Sequence, residues 1–258
     1  MRRLGYKLGA GRYFGIPVYF HWSFAFSLLL VAYVWISKQL TLYQGLAFSL
    51  FFMTLFLCIV LHEYGHALAA RYFGIGTRDI LLTPIGGVAR LEGMPKEPKG
   101  ELIIALAGPL VNLIIAAVIF VGSRLIGITS LNPDMEDVVN ILVHPVGFMY
   151  YIFWMNLILL GFNLVPAFPM DGGRVLRALL AYKMNHVKAT FIAHLVGRVF
   201  AVGFIVFGIY NQLPGILLIG IFIYIMAGRE YQYVLWKESR ETRIKLKETN
   251  NTNGEPVS

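Results

Sequence analysis

Charge and cysteine are scarce in this chain. Only 14% of its 258 residues are charged, against roughly 25% in soluble domains. With 57% apolar residues and a mean hydropathy of +0.66, that excludes an ordinary water-soluble domain and places the chain among multispanning membrane proteins. The single cysteine, Cys58, excludes an internal disulfide and any cysteine-based zinc site. No Gly-x-Ser-Gly or Gly-x-Gly-Asp run occurs, so the serine and aspartyl types of membrane protease lack their reactive groups. There is no internal repeat. The formal charge of +8 lies between apolar runs and not in one patch, which excludes a nucleic-acid partner.

The apolar runs read as six spans, at about 18–36, 45–70, 101–123, 146–164, 190–210 and 213–228. Each is long enough for a hydrocarbon core of roughly 30 Å. Lysine and arginine alternate in the segments between them. The N-terminal segment has Arg2, Arg3, Lys7 and Arg12, and no cleavable leader is read there. The next loop has only Lys38. Residues 71–100 carry Arg71, Arg78, Arg90, Lys96 and Lys99, and the loop after them only Arg124. Arg174, Arg177, Lys183 and Lys188 follow in 165–189, the fifth loop has none, and the tail from Arg229 is basic again. By the positive-inside rule, an even number of spans with both termini cytoplasmic is expected in a cell membrane. Arg198, alone inside a span, is expected to face the bundle or snorkel.

Three pieces are not spans. Residues 77–92 have β-type residues on both sides of Pro84 and Gly86-Gly87, which predicts a cytoplasmic-side hairpin or a reentrant strand pair. Residues 171–183 read as a short helix opened by Asp171-Gly172-Gly173. Residues 231–258 read as a polar cytoplasmic tail, partly disordered, after a membrane-embedded core over 1–230, with no room for an appended soluble domain. The expected fold is an all-α membrane protein, a six-helix bundle with a short cytoplasmic-side strand pair.

The densest chemistry is His62-Glu63-Tyr64-Gly65-His66, near the end of the second span. Histidines at i and i+4 stand one above the other on a helix face and can share one metal ion, with the glutamate as a general base toward water. Three ionisable groups within five positions of an apolar run are too costly to be incidental. His66 is five residues and His62 nine before Arg71, which puts a metal on the order of 10 Å below the surface. Water must therefore reach that depth. Catalytic zinc takes three protein ligands and leaves a fourth position open. The best third candidate is Asp171, a carboxylate among apolar residues after Pro166 and Pro169. The competing role for Asp171 is to cap the following helix, where its charge suits the helix N-terminus.

These residues, together with Pro84-Ile85-Gly86-Gly87, Ala107-Gly108-Pro109 with Asn112, and Asn163 through Arg174, resemble the site-2 protease family of intramembrane zinc metalloproteases. The motifs come in the family's order over roughly residues 15–185, and the likeness is to its archaeal and bacterial six-span branch. The resemblance implies one Zn2+ held by His62, His66 and Asp171, with Glu63 as general base. It implies that Asn163 positions the scissile peptide or stabilises the oxyanion, and that the substrates are transmembrane segments of other membrane proteins. The paired cystathionine-β-synthase-type domains or PDZ domain of many members are not read here. A helical substrate must unwind before hydrolysis, and the 77–92 edge, with Gly86 and Gly87, is expected to hold it by strand addition.

Other residues are read as structural. Ala107, Gly108 and Pro109 would let another helix approach closely, Asn112 would bond between helices, Cys58 would fill core space, and His21 would anchor at the interface. His144, His186 and His194 have no ligand-like spacing. A metal-ion transporter is the alternative from another class, and an inactive scaffold of the same fold a third. Against the transporter stands the glutamate between the two histidines, and against the scaffold the complete set His62, Glu63, His66 and Asp171. A downstream glutamate ligand is disfavoured, because Glu136 falls in an external loop and the rest in the tail from Glu230.

Overall fold

The computed structural model describes residues 7–84, 86–95, 97–128 and 138–252. Ile85, Lys96, Glu136 and the end of the tail, 253–258, lie outside the described residues. The protein is mostly helical, at 73%, and divides into two compact units, Met1–Asn163 and Leu164–Ser258.

The first unit opens with a hairpin that the sequence reading missed. Strands β1 (Lys7–Tyr13) and β2 (Ile16–His21) run antiparallel, with a bulge between Gly9 and Gly11. Phe14 and Gly15 take positive φ angles of 50° and 79°, the geometry of a tight two-residue hairpin turn. A single 3-10 turn, Trp22–Phe24, follows, and the His21 ring caps it by accepting the Ser23 N–H. Helix α1 is only Ala25–Ser37. Its 13 residues rise about 20 Å, less than a hydrocarbon core. The expected span at 18–36 is thus a strand, a turn and a short apolar helix. The apolar run continues from β2 into α1 without a polar break, so the two were read as one element.

Helix α2 (Leu42–Tyr72) starts at a capping box between Thr41 and Gln44 and ends just past Arg71. Strands β3 (Thr77–Thr83) and β4 (Gly86–Leu91) form the expected hairpin. The other described elements of this unit are helices: α3 (Pro98–Leu125), with Pro98 in its first turn, α4 (Val138–Val143) and α5 (Pro145–Asn163). The sheet order is β1-β2-β3-β4, with β2 and β3 parallel. Ile16, Val18, Ile80 and Leu82 of the sheet pack with Phe24 and with Tyr64 and Ala67 of α2. The sheet therefore lies on the end of α2 that carries the histidine motif. Farther back, α2 exposes Leu46, Leu50, Met53 and Leu57, a surface suited to lipid.

In the second unit a loop with a cis Phe168–Pro169 bond leads to α6 (Asp171–Ala181), α7 (His186–Tyr210) and α8 (Pro214–Thr252). Ala167, Met170, Ala201 and Ile223 form its core. Gly208 lets α7 and α8 close up, since a Cβ there would stand 2.6 Å from the Leu217 nitrogen. Arg177 of α6 is buried over the Phe168 ring and donates to Glu230 of α8 at 2.8 Å. Arg198 lies over the Tyr224 ring at 4.6 Å, so the lone intramembrane arginine faces an aromatic neighbour within its unit.

Among the described residues, five helices, α2, α3, α5, α7 and α8, are long and apolar enough to cross a membrane, and Trp22–Ser37 is a shorter apolar helix. The chain is a mostly helical membrane protein with a small sheet, and Trp22–Ser37 is the one expected span that is shorter than the other five.

One ion cluster ties the sheet together. Asp79 of β3 is 4% exposed. It accepts from the Nε and a terminal nitrogen of Arg90 on β4, and from Lys7 of β1 at 3.3 Å. Burial pushes its carboxyl up, but the Arg90 and Lys7 hydrogen bonds and charges outweigh this and hold it below the usual carboxylate value. A carboxyl depressed on folding stabilises the fold above its unfolded value, near 3.9, and loses that contribution as pH falls through its folded value. Asp79→Asn should therefore destabilise the protein at pH 7 by roughly 1.5–3 kcal/mol, the size of hydrogen bonds to a charged group. Thermal melting in detergent should show that deficit shrinking below about pH 4.

Candidate metal centre

The two histidines of the motif meet on the buried face of α2. Their Nε2 atoms are 3.1 Å apart and both rings are buried. His66 Nδ1 stands 2.7 Å from the Ile104 carbonyl oxygen of α3. A carbonyl can only accept, so Nδ1 carries the proton and Nε2 keeps its lone pair. A histidine oriented by a backbone carbonyl in this way is a prepared metal ligand.

The approach of α3 is made by two glycines. A Cβ on Gly108 would overlap His66 Nε2 and sit 2.7 Å from His62 Nε2. A Cβ on Gly65 would sit 2.5 Å from the Ala107 carbonyl oxygen. The close approach expected at Ala107-Gly108 is therefore real, and its partner is α2. The donor set suits zinc: two nitrogens, each about 2.0–2.1 Å from one tetrahedral ion, lie about 3.3 Å apart, close to the observed spacing.

Glu63 faces the sheet. Its Oε2 accepts the Ala89 N–H of β4 at 2.7 Å. Gly87 lies against its stem, for a Cβ there would be 2.8 Å from Glu63 Cγ. Gly86 has φ +140° and open space where a Cβ would project. The hairpin glycines thus differ: Gly87 is required by contact, Gly86 by backbone conformation. Tyr64 shares its hydroxyl proton between the Tyr13 and Ile16 carbonyls, and Arg71 donates to Phe14 at 2.6 Å. The motif's second and third residues thereby hold both hairpins, a role the sequence reading did not assign.

Asn163 is the last residue of α5, at the end of the first unit. Asp171 belongs to the second unit, where it is buried and opens α6. It is not the cap; Met170 holds that position without a side-chain bond. The helix start packs on its own preceding loop: a Cβ on Gly172 would overlap the Leu164 and Val165 carbonyls, and one on Gly173 would stand 2.7 Å from the Phe168 nitrogen. The two glycines let the helix that carries Asp171 begin against its own preceding loop.

Of the residues read as structural, Cys58 is buried and receives the Asn156 amide at 3.4 Å, as a core position. His194 is buried against Tyr231, with rings stacked at 5.4 Å. Asn112 is fully buried, but its amide has no hydrogen-bond partner among the described residues, so the interhelical bond expected of it is not made.

Comparison with known proteins bears on this site. Residues 50–204 match the model of peptidase family M50, a stretch that includes all of His62, Glu63, His66, Asn163 and Asp171. A zinc metalloprotease of Methanocaldococcus jannaschii is 36% identical over 90% of this chain and 62% of its own length. Stage IV sporulation protein FB of Bacillus subtilis is 29% identical over 61% of the chain and 49% of its own length. The chain thus spans less than two thirds of these curated relatives. The solved site-2 protease from Methanocaldococcus jannaschii superposes with a TM-score of 0.62 at 35% identity, over 88% of this chain and 95% of that one.

Gly108→Leu would drive a side chain into the space of both imidazole tips. We expect it to abolish stoichiometric zinc, measured as metal per purified chain. Gly122→Ala on the same helix, where a Cβ meets nothing within 4 Å, should leave zinc content unchanged.

Proposed function

The chain belongs to peptidase family M50, and from that premise we propose that it is an intramembrane zinc metalloendopeptidase that hydrolyses peptide bonds in transmembrane segments of other membrane proteins. The observation that carries this reading is the buried pair of imidazoles in an apolar helix, one of them oriented by the Ile104 carbonyl. His62 and His66 supply two ligands for zinc and Asp171 the third. In support of Asp171, it is a buried carboxylate within the family-matched stretch, in a setting where an acid needs a cation.

Zinc, when bound, supplies Lewis-acid polarisation of a carbonyl and lowers the pKa of water. The remaining steps belong to side chains. Glu63 takes a proton from the attacking water and returns it to the leaving amine. Asn163 donates its amide to the negative charge that develops on the carbonyl oxygen. The β3–β4 hairpin, through Gly86 and Gly87, receives the substrate as an added strand, which removes the substrate's helical hydrogen bonds before attack.

In the finer topology, Trp22–Ser37 completes six crossings with the membrane-embedded core over 1–230, and both termini face the cytoplasm. The polar part from residue 231 lies on that side. Cysteines placed at positions 8 and 237, in chains with Cys58 replaced, should label from the cytoplasmic side only. Labelling of either from the other side overturns this topology.

The functional test is paired. In purified protein, Glu63→Gln should retain zinc and lose cleavage of a membrane substrate by about 10²–10⁴-fold, the usual worth of a general base. Asp171→Ala should lose zinc and cleavage together. Retained zinc in Asp171→Ala removes it from the ligand set, and metal flux in vesicles without proteolysis would favour the transporter.

A further inference from the structure

Glu63 is the only acid in the motif, and its carboxylate is held by a sheet edge. In the order β1-β2-β3-β4, strand β4 is at the edge among the described strands. Ala89 pairs in register with Ile80, and its N–H donates to Glu63. At 2.7 Å this is in the range of a charge-assisted bond. The Gly87 backbone lies against the same side chain. Glu63 is thus gripped at its stem and at one oxygen.

That grip depends on register. A slip of one residue in β4 would turn the Ala89 N–H toward β3 and away from Glu63. The hairpin's register shift lies between Thr77 and Asp79, just beyond the rung next to Ile80–Ala89, which is Asp79–Arg90. There Arg90 clasps both oxygens of buried Asp79 through two nitrogens, and Lys7 of β1 adds a third bond. The ion pair pins the strand one residue beyond the amide that holds Glu63.

We infer that the Ala89 amide positions the carboxylate of Glu63 and that Arg90 and Asp79 are positioning residues that hold β4 in the register this requires. The inference rests on Glu63 as the general base, and it gives the hairpin a second task besides receiving substrate. A glutamate on a helix has several rotamers, and a fixed donor settles the choice before substrate arrives. Arg90 binds Asp79 and acts through the strand.

Amide exchange on the full chain in detergent micelles tests the contact without turnover. The Ala89 amide should exchange slowly in the wild type despite its place on an edge. It should exchange at least tenfold faster in Glu63→Ala, and stay slow in Glu63→Gln, whose amide oxygen still accepts. Ile80 and Leu81 should not change. Equal Ala89 exchange in all three proteins overturns the inference. Kinetics tests the role. Arg90→Gln should lower kcat about tenfold, as the loss of an orienting outer partner does, with KM within twofold and zinc content unchanged. Arg90→Lys should recover most of that loss. A raised KM with unchanged kcat would instead make the hairpin a substrate dock alone. Full cleavage by Glu63→Gln would sink the general-base reading while leaving the exchange result intact.

Discussion

The contact between α2 and α3 at Gly65 and Gly108 is the constraint on which the rest of the first unit depends. Imidazoles placed inside an apolar helix must find partners there, because lipid offers none. Only residues without a Cβ let α3 come near enough to set the Ile104 carbonyl against His66 and leave room for both ring tips. A helix of ordinary width at these positions would leave the pair unoriented. The cost of burying two polar rings is met by backbone geometry as much as by any side chain.

A second consequence follows from the helical angle of about 100° per residue. His62, Glu63 and Tyr64 are consecutive, so they leave α2 in three directions. His62 joins His66 at α3, Glu63 meets β4, and Tyr64 meets the β1–β2 turn. One turn of helix is thereby fastened on three sides. This explains why the sheet packs at this end of α2, through Ile16, Val18, Ile80 and Leu82. The sheet's buried ion cluster then bears on the same turn, since Asp79 and Arg90 sit beside Ala89.

What was legible in the sequence was whatever had a short period or a strong local sign. The two histidines four apart, the β-type residues around Gly86-Gly87, and the helix opened by Asp171-Gly172-Gly173 all came through. The first hairpin did not, because Gly9, Gly11, Gly15 and Pro17 break up strand propensity. Its best evidence is the parallel pairing of β2 with β3, about sixty residues apart in the chain. Asp79 and Arg90 left a readable trace that was passed over: they are equidistant from the 83–86 turn and of opposite charge. Arg177 with Glu230, 53 residues apart on separate helices, left none. The missing bond at Asn112 shows the limit of residue type as a guide, since a buried amide suggests a partner without naming one.

Helix α8 has 39 residues. At the rise of an α-helix it is about 58 Å long, nearly twice the thickness of a hydrocarbon core. Roughly half of it must stand outside the lipid, and the sequence agrees, for Lys237, Glu238, Arg240 and Arg243 crowd that half. A rod of this kind keeps its direction. A tilt of the buried half is carried undiminished to the wet end, so a few degrees of lean within the bilayer become a displacement of ångströms in the aqueous phase.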